Sequence, residues 1–211
     1  MAKRRRWTKA LVFLLGLAPL VWLGWRAWNQ DLTANPLEFL EHYTGDWTLR
    51  LIVIGLGITP FRKSLNLPNL IHYRRMIGLF AFFYACLHFT IFLWFDLDMH
   101  EVVADIAKRP YVTVGFTSFL MLIPLAVTST AGWIRRLGGR RWALLHRLVY
   151  LTAMGGVIHY YWLVKSDVRK PVFYGILVAM LLGWRLQDRV RASARRVAPP
   201  PVRKSPEAVA Q

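Results

Sequence analysis

Apolar residues gather into six long runs, at 10–28, 47–61, 76–95, 111–130, 144–164 and 171–186, separated by shorter stretches that hold most of the charge. A helix needs about 20 residues to cross about 30 Å of hydrocarbon, and most of the runs are close to that length. The pattern predicts an all-α bundle of six transmembrane helices. The second run is the weakest, because Arg50 interrupts it and only 51–61 is free of charge. It is expected to be short, to tilt, or to let Arg50 reach the interface. The first run begins like a secretory signal, but no small-x-small cleavage site follows it, and Pro19 and Arg26 suit a retained helix.

Composition agrees with a membrane chain. The 211 residues are 55% hydrophobic, include ten tryptophans and have a mean hydropathy of +0.33. The size is that of one domain, with a membrane unit at 10–190 between a basic amino end at 1–9 and a tail at 191–211. That tail, with Pro199, Pro200 and Pro201 in succession, is expected to be disordered. No internal repeat is present.

The net charge of +17 is unevenly placed. Lysine and arginine cluster at the amino end, around Arg62 to Arg75, from Arg135 to Arg147 and after Arg185, whereas the alternate loops carry Asp31, Glu38, Glu41, Asp96 and Asp98. Cations accumulate on the cytoplasmic side of short loops, so both termini are expected to be cytoplasmic. The same partition argues against nucleic acid as the partner of these charges. Anionic lipid headgroups suit them better, at about 1 kcal/mol per nearby cation.

Histidines carry the candidate chemistry. An ionisable side chain inside an apolar run is costly and normally pairs, ligates or lines a path, and His88, His146 and His159 all lie in such runs. Neutral imidazole is a common metal ligand and a usual axial ligand of haem iron. Cys86 is the only cysteine, so covalent haem attachment, disulfides and cysteine-rich metal sites are excluded, and any haem is held non-covalently. From the cytoplasmic ends of their runs, His88 and His159 lie about 18 Å and about 22 Å deep at 1.5 Å per residue. At that shared level they can clamp one iron between two helices. His146 lies near the cytoplasmic surface, where a second site would extend the path. On an ideal helix it faces about 140° away from His159, so either the helix winds tighter at Gly155 and Gly156 or His146 faces another neighbour. Arg74, fourteen residues before His88, falls within about 40° of the His88 face and can pair with a haem propionate or a flavin phosphate.

Three stretches then resemble a known family: TSTAGWIRRLG, WALLHRLVYL and VIHYYWLVK between residues 128 and 165. TGDWTLRLIVIGLGITPFRK at 44–63 and HYRRMIGLFAFFYACLHF at 72–89 are similar too. The chain resembles the haem-binding membrane subunits of periplasmic methionine-sulfoxide reductase systems (MsrQ/YedZ type), within the ferric-reductase-like transmembrane group. The resemblance implies haem b, one or two per chain, with His88, His146 and His159 as ligands, and it implies FMN, for which no residue is placed. It also implies electrons drawn from the quinone pool or a cytosolic flavin reductase, because no glycine-rich nucleotide motif follows the last run. The implied acceptor is a periplasmic molybdopterin-containing methionine-sulfoxide reductase subunit that repairs oxidised proteins. The chain would then be a non-catalytic electron carrier of the bacterial inner membrane. NADPH oxidase membrane domains of the wider group carry a further histidine where this chain has Arg74.

Plainer roles exist for the same residues. A membrane histidine can be only an interhelical hydrogen-bond partner, worth about 1 kcal/mol. His42 and His100 are expected to be solvated in outer loops, and His72 to anchor the inner surface beside Tyr73, with a flavin or quinone headgroup as its sharper alternative. Tyr160, Tyr161 and Trp162 are expected to form an aromatic belt or an exit port to the partner. Two other readings of the chain make different predictions. A stand-alone ferric or cupric reductase would reduce metal when purified, and a non-redox assembly or transport protein would be colourless.

Overall fold

The computed structural model describes residues 2–95 and 99–197, and every element in them is helical. In chain order these are α1 (Ala2–Trp28), α2 (Pro36–Ser64), a 3-10 turn (Pro68–Tyr73), α3 (Arg74–Phe95), α4 (Met99–Lys108), α5 (Pro110–Val127), α6 (Ala131–Leu145), α7 (Leu148–Leu163) and α8 (Arg169–Val197). Five of the six apolar runs lie largely on one helix each, and the run 144–164 is divided between the end of α6 and α7. Two helices, α4 and α6, were not expected. Both are interfacial in character rather than apolar throughout, so a search for runs of about 20 apolar residues passes over them.

Several boundaries move for local reasons. The helix expected from residue 47 begins at Pro36. There Asn35 accepts a hydrogen bond from the Glu38 amide at 3.3 Å, and its side-chain amide donates to the Glu38 carboxylate at 3.1 Å. Such a reciprocal cap, with proline in the first turn, starts a helix whatever the hydropathy that follows. His42 consequently lies on α2 and not in a loop. The expected fifth helix does not begin at 144: α6 ends at Leu145 and α7 starts at Leu148. At the other end α8 runs to Val197, so the expected tail is helical over its first seven residues, while 198–211 lies outside the described residues. Lys63 holds that extension by an ion pair to Asp188 at 2.6 Å.

Among the described residues three stretches are long and apolar enough to cross a membrane: Arg6–Trp28, Pro68–Trp94 and Pro110–Val127. The other candidates differ in kind. Helix α7 has 16 residues, which span about 24 Å, and α2 carries Asp46 and Arg50 within its apolar part. Arg50 does not simply reach for the interface. Its Nε donates to the Tyr174 hydroxyl at 3.0 Å, and Nη2 meets Asp46 at 3.4 Å. Much of α1 is exposed, including Leu11, Phe13, Leu14, Leu15 and Val21. A contiguous apolar surface of that kind suits lipid and not water.

Helix α2 packs along α3, and α5 along α7. Contacts of α3 with α5 and of α2 with α7 close these pairs into a four-helix ring, with α8 against α7 and α2. Leu51, Leu56, Ala81, Tyr84, Leu122 and Ala153 fill its centre. Helix α1 is attached through ring contacts, Phe13 with Phe80 and Trp22 with Tyr43, and through hydroxyls. Tyr84, fully buried on α3, accepts from the Leu20 amide at 3.1 Å and donates to the Gly16 carbonyl at 2.9 Å. Its oxygen thus sits inside the i→i−4 ladder, one residue from Pro19, where the helix already lacks a donor. Tyr43 adds a bond to the Pro19 carbonyl at 3.0 Å. Tyr84→Phe is expected to loosen α1 and to cost about 1 kcal/mol, the usual worth of an interhelical hydrogen bond in a membrane protein. A thermal melt of the detergent-purified variant checks this, and an unchanged midpoint would show that the ladder closes without the hydroxyl.

Candidate functional site

Within the four-helix ring lies a cavity of about 400 Å³, lined by α2, α3, α5 and α7 together with Ile106 and Arg109 at its outer edge. Most of its wall is apolar, from Leu49, Ile52, Phe89, Phe116, Phe119 and Leu122. His88 enters from α3 and His159 from α7, their ring centroids 6.1 Å apart and their planes crossed at 77°. The depth argument from the sequence therefore meets a geometric counterpart, since the two imidazoles do come together.

Each ring is held by its Nδ1. In His88 this nitrogen lies 3.0 Å from the Glu41 carbonyl, and in His159 it lies 2.7 Å from the Tyr111 carbonyl. A carbonyl only accepts, so both Nδ1 atoms carry the proton and both Nε2 atoms keep a free lone pair. Among the described residues neither Nε2 has a hydrogen-bond partner. Ligand histidines are held in the same way, the second nitrogen donating to a carbonyl or carboxylate that fixes tautomer and orientation.

The spacing also fits a metal between the rings. An imidazole nitrogen stands about 2.0–2.1 Å from an ion it ligates, so two rings facing across one ion have centroids about 6 Å apart. A free ion would want more ligands. Among the described residues no group of three or more His, Cys, Asp or Glu side chains converges on a point. Two neutral nitrogens in an apolar slot suit an iron whose remaining four ligands come from a flat macrocycle.

Glycines make room for both rings. A Cβ on Gly45 would lie 3.2 Å from His88 Cε1, and one on Gly115 would lie 2.6 Å from His159 Nδ1. Sequence reasoning passed over both, together with Glu41, whose helical turn precedes the expected start of its segment. The Asn35, Pro36 and Glu38 cap was the available signal for that turn.

His146 and Arg74 lie elsewhere. His146 caps α6 in the turn that leads to α7, with its Nε2 3.2 Å from Thr128 Oγ1 and its ring 4.1 Å from that of Trp142. Trp142 donates in turn to the Thr128 carbonyl at 2.9 Å. The turn answers the question of helical phase: the segment breaks at 146–147 and is not wound tighter at Gly155 and Gly156. Burial, and then the charge of Arg74, hold the His146 imidazole below its ordinary pKa. Arg74 opens α3 near Arg185 and Tyr150. Arg185 donates to the Tyr150 hydroxyl at 2.9 Å and to the Leu56 carbonyl at 2.8 Å. Among the described residues no second histidine pairs with His146, so this end of the bundle is cationic while the cavity holds the pair of imidazoles.

The remaining expectations are quickly placed. His42 is exposed on α2 at the cavity edge, and His72 is exposed in the 3-10 turn, while the side chain of His100 lies outside the described residues. Tyr161 and Trp162 are about half exposed, as a belt or a port requires, whereas Tyr160 lines the cavity.

Comparison with known proteins adds a family. The description "Ferric reductase like transmembrane component" matches residues 44–157, a span that includes His88 and His146 and stops two residues before His159. A relative from Xanthomonas campestris pv. campestris (strain 8004), a "Protein-methionine-sulfoxide reductase heme-binding subunit MsrQ", is 48% identical over 204 residues, 92% of this chain and 93% of its own. Proteins of the same description from Herminiimonas arsenicoxydans and Caulobacter vibrioides are 48% and 46% identical, each over 88% of this chain and 89% of theirs. No solved structure matches.

Proposed function

Since this chain belongs to the family of haem-binding subunits of protein-methionine-sulfoxide reductases, within the ferric-reductase-like transmembrane group, we propose that it is the membrane electron carrier of such a system. It takes electrons at the cytoplasmic side, from the quinone pool or a cytosolic flavin reductase. It passes them to a periplasmic molybdopterin-containing subunit that reduces methionine sulfoxide in oxidised proteins. The proposal includes six spans in the bacterial inner membrane with both termini cytoplasmic. One observation carries it: two imidazoles on separate helices, tautomers set by backbone carbonyls, with ring centroids 6.1 Å apart in an apolar slot.

In this reading His88 and His159 hold the iron of haem b through their Nε2 atoms. Haem supplies a one-electron couple when bound. The carbonyls of Glu41 and Tyr111 keep each ring in one tautomer and raise its basicity, which favours the oxidised iron and lowers the potential. Phe89, Phe116 and Phe119 exclude water from the slot. Electrons then leave by the outer edge, beside Tyr160 and the half-exposed Tyr161 and Trp162.

At the inner level Arg74 and Arg185 offer two guanidiniums to an anionic group, a haem propionate or the phosphate of the FMN implied for the family. His146 is the ligand there if a second haem is present.

The test is a reduced-minus-oxidised visible spectrum of the detergent-purified chain, with a haem count per chain. A sharp b-type band is expected, and a colourless preparation after expression with ample haem would overturn the reading. His146→Ala is expected to keep the band of the His88 and His159 site. A wild-type count of two haems that falls to one in this variant would make His146 the inner ligand, and a count of one throughout would leave it the partner of Thr128.

A further inference from the structure

The haem reading leaves open what aims the two imidazoles, and the backbone answers in the same way twice. On α2 the acceptor is the carbonyl of Glu41, and the ring of His88 lies against Gly45, four residues on. On α5 the acceptor is the carbonyl of Tyr111, and the ring of His159 lies against Gly115, again four residues on. The spacing has a physical reason. A helical side chain leans toward the amino end and covers the turn before its own Cα. A side chain at i+4 therefore sits over the carbonyl at i, whose first lone pair already receives the amide of i+4. With glycine at i+4 the second lone pair is open to a donor from a neighbouring helix.

We infer that Gly45 and Gly115 are the positioning residues of the site, each uncovering one helix carbonyl so that an imidazole from the adjoining helix can seat on it and turn Nε2 into the slot. The inference rests on the haem reading above and extends it to residues that ligate nothing. It makes the site two copies of one device, α2 serving α3 and α5 serving α7, although the sequence shows no repeat.

The two seats differ in tightness, which yields a graded expectation. An added methyl at 115 would fall 2.6–3.0 Å from three atoms of the His159 ring, so the ring must move off its seat. An added methyl at 45 would fall 3.2–3.3 Å from two atoms of the His88 ring, where a small displacement suffices. Gly55 is the control on α2, since a Cβ there meets only Ile77, at 3.8 Å. Gly183 on α8 is a second control, with nothing within 4 Å.

The experiment uses the full-length chain in detergent with Gly115→Ala, Gly45→Ala and both controls, and reads haem per chain, spin state and midpoint potential. Gly115→Ala is expected to lose haem affinity about 10- to 100-fold, the range for removing an outer partner of a ligand. Haem that remains should be high-spin, and added free imidazole should return it to low-spin, because a diffusible ligand needs no seat. Gly45→Ala is expected to keep its haem low-spin with an altered potential, so the inference stays testable if Gly115→Ala fails to accumulate. Wild-type spectra and potentials in both variants would overturn it, as would equal losses in Gly55→Ala or Gly183→Ala, which would point to general packing. A wild-type preparation with no haem band would overturn the underlying haem reading first. Unchanged variants beside a normal wild-type band would overturn this inference alone.

Discussion

His88→Ala and His159→Ala are each expected to abolish the low-spin b-type band of the site between α3 and α7, while the chain still inserts and can be purified. The expectation of a near-complete loss comes from what each ring contributes. Neither Nε2 has a hydrogen-bond partner among the described residues, and no group of three or more His, Cys, Asp or Glu side chains converges there among them, so removing one imidazole would leave a single histidine to hold the iron. The bundle itself loses little, because the rings line a cavity and are not part of the packed centre formed by Leu51, Leu56, Tyr84 and Ala153. The decisive measurement is the pair of haem count and circular dichroism. Loss of the band with helicity retained is the expected result. A full band in both variants would remove the two histidines from the ligand set, whatever the family relationship.

Arg185→Leu is the substitution with the largest expected cost in stability. Pro60 lies inside α2 and has no N–H, so the carbonyl of Leu56, four residues earlier and 1% exposed, is left without its helical donor. Arg185 supplies it from α8 at 2.8 Å, and the same guanidinium bonds the Tyr150 hydroxyl at 2.9 Å. Leucine keeps much of the bulk, leaves the buried Leu56 carbonyl unpaired and frees the half-buried Tyr150 hydroxyl. The buried carbonyl alone costs about 1–3 kcal/mol, with a smaller share from the hydroxyl, reduced by relief of the repulsion between Arg185 and Arg74. A double-variant cycle separates the parts. Pro60→Ala restores an amide at position 60, so it should recover at least about 1 kcal/mol of the Arg185→Leu loss by satisfying Leu56 again. Purely additive effects in thermal melts would show that the Leu56 carbonyl does not depend on Arg185.

Both predictions rest on residues that differ in how far the sequence exposes them. His88 and His159 are legible because an imidazole in a long apolar run is chemically out of place, and counting at 1.5 Å per residue puts both at one depth. Arg185 looks like one more cation at a membrane border, since nothing local links it to a proline 125 residues earlier. The break beside His146 is hidden for a related reason. Hydropathy runs straight through residues 144 to 164, whereas the chain breaks at 146–147, where His146 pairs with Thr128 and Trp142. Helices α4 and α6 escaped because their polar positions interrupt any long apolar count, and the early start of α2 escaped because a cap, not hydropathy, begins it.

By itself, then, the sequence determined the helical class, the apolar runs, the uneven charge and the shared depth of two histidines. All of these follow from burial and helical periodicity, which a chain carries locally along its length. Only the tertiary structure decided that α2 serves α3 and α5 serves α7, that the Glu41 and Tyr111 carbonyls hold the rings, and that Gly45 and Gly115 leave them room. Those are pairings between helices. Every backbone carries the same carbonyl at each residue, so which one a distant imidazole finds depends on which helices lie side by side and in what register.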